Sequence, residues 1–361
     1  MTSTKSLSEK INELKAEQIA EGDLVVKVPN RAAKRTCVKN GNLHKARSEK
    51  NDEFYTSMAD IEAEMKHYRK YFKGKVVLCN CDDPEWSNFF RFFALNFMFL
   101  GLKKLISTHY EPNGKSYALV VDGNLDVNGD GKIDLKDAVR VPLKGNGDFR
   151  SEECLKYLEE ADIVVSNPPF SLFREYVDLL IEYKKKFLIL GNMNAVTCKN
   201  IFRLFKDNLM WYGYSIHSGD REFRVPDNYP LAAAGTRVDE NGNKYIRVKG
   251  IRWFTNLSHD LRHVQLDLVG NTYTPEKYPK FDNYDAIEVS KTGLIPDGYK
   301  GVMGVPITFL DKYCPEQFEI VSCNDYRIND TIPFKAHGLI KDKEGTINGK
   351  ATYVRICIKA K

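Results

Sequence analysis

The sequence predicts an α/β protein with a doubly wound, largely parallel sheet and a β-rich C-terminal region, and three observations predict it. Val76-Val77-Leu78, Ile163-Val164-Val165 and Phe187-Leu188-Ile189-Leu190 are strand-length apolar runs without polar alternation, as strands buried on both faces are. Segments of helical period separate them, the alternation that crossover helices give a parallel sheet. After about residue 215 short β-like segments separated by Gly, Pro and Asn take over.

Taken in order, Leu7, Ile11, Leu14 and Ile19 make residues 3–20 an amphipathic helix. Between Arg31 and Lys50 lies a basic arm that includes Arg31, Lys34, Arg35 and Lys39, with Glu49 as its single acid. Ile61, Met65 and Tyr68 mark a helix, Gly74 breaks it, and the strand at 76–78 runs into the loop CNCDDP. Residues 86–100 are aromatic-rich with helical period, and Leu105-Ile106 and Leu119-Val120-Val121 are further strands. A helix at 151–160, the strand at 163–165, a helix at 171–183 and the strand at 187–190 follow. The later segments are Tyr245–Val248, Val264–Leu268, Ala286–Val289, Phe318–Val321 and Tyr353–Ile358. The expected divisions are 1–50, helix and arm; 51–215, the sheet domain; and 216–361, either a separate module or an elaboration of the same core.

With 361 residues and 42% hydrophobic content the chain can fill one large or two ordinary domains. No run approaches the roughly 18 apolar residues of a membrane span, and the first residues lack a signal peptide's apolar stretch, so a cytoplasmic protein without a membrane partner is expected. The eight cysteines are scattered, with Cys79 and Cys81 the only close pair, which suggests neither a zinc ribbon nor a disulfide framework. A net charge of +5 is compatible with nucleic acid without establishing it. The basic arm can neutralise phosphates, or it can be a solvated linker.

The most informative tetrapeptide is Asn167-Pro168-Pro169-Phe170, directly after the strand that ends at Val165. In open α/β sheets ligands bind beyond the carboxyl ends of strands. An adenine amino group is a poor nucleophile because its lone pair is delocalised into the ring. An Asn oxygen and a proline carbonyl fixed by its ring can accept the amino hydrogens and favour a more tetrahedral nitrogen. The aromatic fourth residue can stack on a base flipped out of a duplex. The alternative is a plain Pro-Pro turn that ends a strand.

These residues resemble the catalytic motif of the amino-methyltransferases, and the likeness extends to the EcoRI-type adenine-specific DNA methyltransferase family. It is carried by Asp52-Glu53-Phe54-Tyr55-Thr56, VVLCNCDDP at 76–84, Gly147-Asp148-Phe149-Arg150-Ser151, DIVVSNPPFSLFREY at 162–176, KKFLILGN at 185–192, WFTNL at 253–257 and GVMGVPITFLDKY at 301–313. It covers roughly residues 42 to 361.

The resemblance implies a Rossmann-like sheet that binds S-adenosylmethionine and transfers its methyl group to adenine N6 in double-stranded DNA by base flipping. Such an enzyme serves restriction–modification or acts as an orphan or phage modification enzyme. It is expected to be a monomer without a stable complex with any cognate restriction endonuclease. The resemblance further implies that Phe54, Tyr55 and Thr56 border the methionine part of the cofactor. It places the loop Asn80, Cys81, Asp82, Asp83 and Pro84, together with Asn167, against the cofactor. Asp148 would accept from the cofactor's adenine amino group and Phe149 would pack beside that ring. A helix cap or turn is the other reading of Asp148. The Gly-x-Gly common in the wider superfamily is replaced here by the CNCDDP loop.

Residues 126–137, DVNGDGKIDLKD, match a calcium loop, with Asp126, Asn128, Asp130, Lys132 through its carbonyl, Asp134 and Asp137 as ligands. The last ligand is Asp where Glu is usual, and a polar turn is the alternative. Base reading is expected in the C-terminal half, where Arg221, Arg224 and Arg252 are candidate DNA contacts. The Asn-Pro-Pro-Phe pocket by itself also permits methyl transfer to cytosine N4, RNA or a protein amide, and a methylase-like DNA-binding protein without turnover is the rival of another class.

Overall fold

A computed structural model describes residues 54–81, 83–112, 114–217, 219–226, 235–324 and 345–361. The expected N-terminal helix, the basic arm with Arg31, Lys34, Arg35 and Lys39, and Asp82 lie outside the described residues. The chain divides into two compact units. The first holds the described residues up to Met193 and Gly213–Ser258, and the second holds 194–212 and 259–361.

In the first unit, helix α1 (Met58–Met65) is capped by Ser57, whose side chain accepts from the Asp60 N–H, and buries Ile61 and Met65. Strand β1 (Val76–Cys79) is buried throughout. Helix α2 (Asn88–Leu95) starts behind the cap Ser87 and puts Phe89, Phe90 and Phe93 into the core. The short helix α3 (Phe97–Leu100) ends at Gly101, whose φ of 64° is the left-handed conformation that stops a helix. Strands β2 (Lys104–Thr108), β3 (Tyr117–Asp122) and β4 (Val139–Pro142) come next. Then follow α4 (Glu152–Glu160), β5 (Ile163–Ser166), α5 (Phe173–Glu182) and β6 (Lys186–Asn192). Helix α6 (Lys199–Lys206) and strand β7 (Trp211–Tyr212) belong to the other unit. The first unit resumes with β8 (Asp220–Val225), β9 (Thr236–Val238), β10 (Lys244–Lys249) and β11 (Ile251–Thr255).

The strands of the large sheet in this unit run β4-β3-β2-β1-β5-β6-β11. Strands β2, β1, β5 and β6 are parallel. Strands β3, β4 and β11 are antiparallel to their neighbours, so the sheet is mixed where a largely parallel one was expected. The reason is local: β2 and β3 are joined by the short 109–116 connection, too short for the crossover that parallel strands need. Strand β11 pairs Trp253 with Leu190 on β6, so residues on the far side of the expected border at 215/216 belong to this sheet. Strands β8, β10 and β9 make a separate antiparallel sheet.

In the second unit β12 (Ile287–Glu288), β13 (Met303–Pro306), β14 (Phe318–Cys323) and β17 (Arg355–Ala360) form a sheet in the order β12-β13-β17-β14, with the small hairpin β15 (Thr346–Ile347) and β16 (Lys350–Ala351) apart from it. The expected strand at Val264–Leu268 is not one. Its central Leu266 instead exchanges both backbone hydrogen bonds with the Gln317 side-chain amide, at 2.7 and 2.8 Å.

Candidate active site at the ends of β1 and β5

From β1 the chain moves to β2 on one side of the sheet, while β5 and β6 lie on the other, so the strand order reverses between β1 and β5. That reversal opens a crevice beyond the carboxyl ends of the two strands, where ligands of such sheets bind. Leu78 pairs with Val164, and two residues further on the strands reach Asn80 and Ser166, followed by Asn167. The end of β1 is fixed from β2 by the Ser107 hydroxyl, which donates to the Cys79 carbonyl at 2.7 Å.

Asn167 is 5% exposed. Its Nδ2 donates to the Phe54 carbonyl, and its Oδ1 is buried without a partner. Asn80 is 3% exposed and accepts from the Tyr176 hydroxyl through Oδ1, which leaves Nδ2 as an unpartnered donor. Burial pushes the Tyr176 phenol well above the ordinary tyrosine range, so it stays a donor at neutral pH and holds the Asn80 amide in that orientation. The Thr56 hydroxyl is a third buried, unpartnered group, although the Thr56 carbonyl accepts from Asn88 Nδ2 at 2.7 Å. An unsatisfied buried polar atom costs about 1–3 kcal/mol. A donor, an acceptor and a hydroxyl left open around one crevice therefore fit a polar ligand. S-adenosylmethionine, with amino, carboxylate and ribose hydroxyl groups, is a ligand of that kind.

The motif's two prolines differ. The Pro169 carbonyl accepts from the Leu172 N–H at 2.9 Å, whereas buried Pro168 has a carbonyl without a hydrogen bond among the described residues. Phe170 is 8% exposed and packs on Phe54 and Phe223, with ring centroids 5.3 and 6.4 Å away. Phe149 meets Tyr176 edge-to-face at 5.1 Å. Asp148 is held by Arg150, which donates through Nε at 2.9 Å and Nη2 at 2.6 Å, and Arg150 also reaches Glu175 at 3.0 Å. Arg150 and its backbone N–H keep the Asp148 carboxyl below the usual carboxylate range. The Asp148 turn depends on Gly147, where a Cβ would stand 1.8 Å from the His109 carbonyl oxygen. In the loop after β1, Asp83 accepts from the Glu85 N–H at 2.9 Å, Cys81 is partly exposed, and Pro84 lines the cavity described next.

Beside this crevice is an open cavity of about 1490 Å³. Tyr55 and Ser57 line it, and so do Trp86, Arg91, Tyr245 and Arg247, together with the expected DNA contacts Arg221 and Arg224. Arg252 is elsewhere. It is 3% exposed on β11 and donates to the carbonyls of Ile251 and His217, so its guanidinium serves the fold and not a surface contact. Sequence reading missed Trp86, absorbed there into the aromatic helix at 86–100. It stands before the cap Ser87 and so outside the helix, a signal the position of Ser87 does carry.

The expected calcium loop folds on itself. Asp126 accepts from the N–H groups of Gly129 and Gly131, Asn128 from Asp130, Asp130 from Lys132 and Asp134 from Lys136. Asp137 accepts from Val127 at 2.8 Å and from Asp134 at 2.8 Å, and these N–H groups hold its carboxyl below the usual range. Among the described residues no three His, Cys, Asp or Glu side chains gather to hold a metal ion. With its side-chain oxygens accepting from its own backbone N–H groups, the loop has the arrangement of the polar turn that was the alternative to a calcium loop.

The sequence matches the family model for the adenine-specific methyltransferase EcoRI over residues 42–361. It is 47% identical over 329 residues to the Type II methyltransferase M.EcoRI of Escherichia coli, covering 88% of this chain and 96% of that protein. Identity to the Type II methyltransferase M.MpnI of Mycoplasma pneumoniae is 43% over 325 residues, or 88% of this chain and 97% of the relative. Against M.MgeORF184P of Mycoplasma genitalium it is 41% over 328 residues, 88% and 98%. No solved structure gives a significant match. Because the family match takes in every described strand and the crevice residues from Phe54 to Phe170, the chain belongs to the EcoRI family of adenine-specific methyltransferases.

Proposed function

We propose that the chain is a site-specific DNA methyltransferase that uses S-adenosylmethionine to methylate adenine N6 in double-stranded DNA. The observation that carries the reading is the pair of uncommitted, buried acceptors at the end of β5, Asn167 Oδ1 and the Pro168 carbonyl. Two acceptors match the two hydrogens of an exocyclic amino group. Accepting both withdraws the nitrogen lone pair from the ring and makes it available for attack. As the new C–N bond forms and the C–S bond breaks, the nitrogen becomes cationic; Asn167 Oδ1 and the Pro168 carbonyl accept hydrogen bonds from its N–H groups, and one proton is then released to water.

Bound S-adenosylmethionine supplies an electrophilic methyl group and leaves as the neutral thioether. Asn80 Nδ2 and the Thr56 hydroxyl are the groups of this chain free to hold its polar parts, with Phe54, Tyr55, Phe149, Asp148 and the loop from Cys81 to Pro84 around it. Phe170 supplies a face for the adenine, which must leave the duplex to reach so buried an acceptor pair. In the adjoining cavity, which Asp60, Glu85, Asp220 and Glu222 also line, Arg221 pairs with Asp60 at 3.7 Å, and of the two arginines Arg224 is the cation without an ion pair among the described residues and so the one to meet a phosphate. The resulting activity belongs to restriction–modification or to stand-alone DNA modification.

The test is incubation with methyl-labelled S-adenosylmethionine and duplex DNA, followed by nucleoside analysis. N6-methyladenine is the expected product. Label in N4-methylcytosine or in RNA or protein controls instead would overturn the substrate assignment.

A further inference from the structure

Trp86 is 56% exposed, whereas Trp211 and Trp253 are 5% and 0% exposed. An indole so open to water is unusual for a side chain that proteins bury heavily on average. Its position explains how it stays out. The helix N-cap is the next residue, Ser87, so Phe89, Phe90 and Phe93 turn into the core while Trp86 remains on the loop that follows β1. The indole is nevertheless held, because the Arg224 guanidinium lies over its ring, 4.9 Å from the centroid. Arg224 makes no ion pair among the described residues. It therefore brings an uncompensated positive charge to the ring it supports.

Both residues line the open cavity, together with Tyr55, Tyr245 and Arg247. On the β8–β10 pair Arg224 stands opposite Tyr245, and Glu222 opposite Arg247, on the face away from buried Phe223 and Ile246. Tyr55 in turn joins the cavity to the catalytic loop. Its N–H bonds the Arg224 carbonyl at 2.9 Å, and the preceding Phe54 carbonyl is the partner of Asn167. A half-exposed aromatic plane backed by a guanidinium without an ion pair, in a groove lined by both arginines and carboxylates beside the reacting loop, has the chemistry of a nucleobase stacking platform.

We infer that Trp86 stacks on a base unpaired at the target site of the bound duplex, with Arg224 fixing the indole and meeting the neighbouring phosphate. The inference rests on the DNA-methylation reading and adds a substrate contact outside the Asn-Pro-Pro-Phe motif.

The full chain tests this with its own fluorescence, since the other two tryptophans are buried. Methylated adenines are first mapped on a plasmid treated with the protein and S-adenosylmethionine, and a duplex bearing the mapped site is then titrated. Acrylamide quenching of the exposed tryptophan should fall on binding, and that change should vanish in Trp86→Phe. Trp86→Ala should raise KM for the duplex by roughly tenfold without altering the salt dependence, because stacking releases no counterions. Arg224→Gln should flatten the salt dependence. Methylated adenines with Trp86 equally accessible in free and bound protein, or unchanged Trp86→Ala kinetics, would overturn the contact alone. If no adenine is methylated, the plasmid itself is titrated, and protection of Trp86 there would count against the methylation reading and leave the contact standing.

Discussion

Asn167 donates through Nδ2 to the Phe54 carbonyl and in doing so turns its Oδ1, buried and unpartnered, toward the crevice. The bond fixes which end of the amide is left open. It also ties the catalytic loop to the segment that carries Thr56.

Asn167→Ala should therefore lower turnover by about 100-fold or more, the scale for losing one positioned transition-state hydrogen bond. Duplex affinity and the circular dichroism spectrum should stay near wild type. Asn167→Asp keeps an acceptor but loses the donor to Phe54, so its activity should fall between the two. Single-turnover methylation of duplex DNA measures this, and near-normal turnover in the alanine variant would remove Asn167 from the chemistry.

Asp148 and Arg150 act as a unit. If Asp148 accepts from the cofactor, Asp148→Ala should raise KM for S-adenosylmethionine by about 10- to 150-fold, the equivalent of one charge-assisted hydrogen bond, with little change in kcat. Arg150→Ala should raise it less, because the Asp148 turn also depends on its own backbone contacts. The lowered pKa of Asp148 means that its charge is lost only as pH falls below the ordinary value of 3.8. Cofactor KM should show no inflection from this group between about pH 5 and 8. An inflection there that disappears in Asp148→Asn would contradict the assignment.

The self-capped loop at 126–137 should ignore calcium. Calorimetry should show no binding heat at millimolar calcium, and a chelator should leave both melting temperature and methyl transfer unchanged. Asp137→Ala leaves the Val127 and Asp134 N–H groups without their acceptor, and should lower the urea unfolding midpoint. A calcium-dependent rise in stability, abolished by Asp126→Ala, would restore the metal site.

The parts of this architecture that could be read in advance are those in which one residue type has one role. Val76–Cys79, Ile163–Ser166 and Lys186–Asn192 are buried strands and look like buried strands. Strand β11 was disguised by Arg252, whose charge suggested a surface although its guanidinium is spent on main-chain carbonyls. The motif named Asn167, Pro168, Pro169 and Phe170 as candidates, but not that the Pro169 carbonyl is taken by a turn bond from Leu172, which depends on how the chain folds after it. The calcium motif gave the spacing of acidic residues and no information on where the carboxylates aim. Trp86 was hidden because the aromatic run was read through Ser87, the residue that caps the helix and leaves Trp86 outside it.

Glu64 shows what no local pattern carries. On helix α1 it is fully buried, and it accepts from the Tyr68 hydroxyl at 2.9 Å and from the N–H groups of Tyr214 and Ser215, each at 2.6 Å. A Cβ at Gly213 would come within 2.3 Å of Glu64 Oε1, so the chain approaches the carboxyl at a glycine. Burial raises its pKa from 4.5, against the lowering effect of the donors. Between the ordinary and the raised value the folded protein then binds more protons at this site than the unfolded chain does. Its contribution to stability is complete below about pH 4.5 and is lost as pH rises through the folded pKa. Glu64→Gln keeps a neutral acceptor and removes the titration. Its stability relative to wild type should accordingly improve as pH rises from about 4 to 8, measured by urea melts across that range. Glu64→Ala should lose about 3 kcal/mol or more at low pH, because two buried N–H groups are left without an acceptor. A Glu64→Gln difference that is flat with pH would show that folding leaves the carboxyl pKa unchanged, the donors then balancing burial.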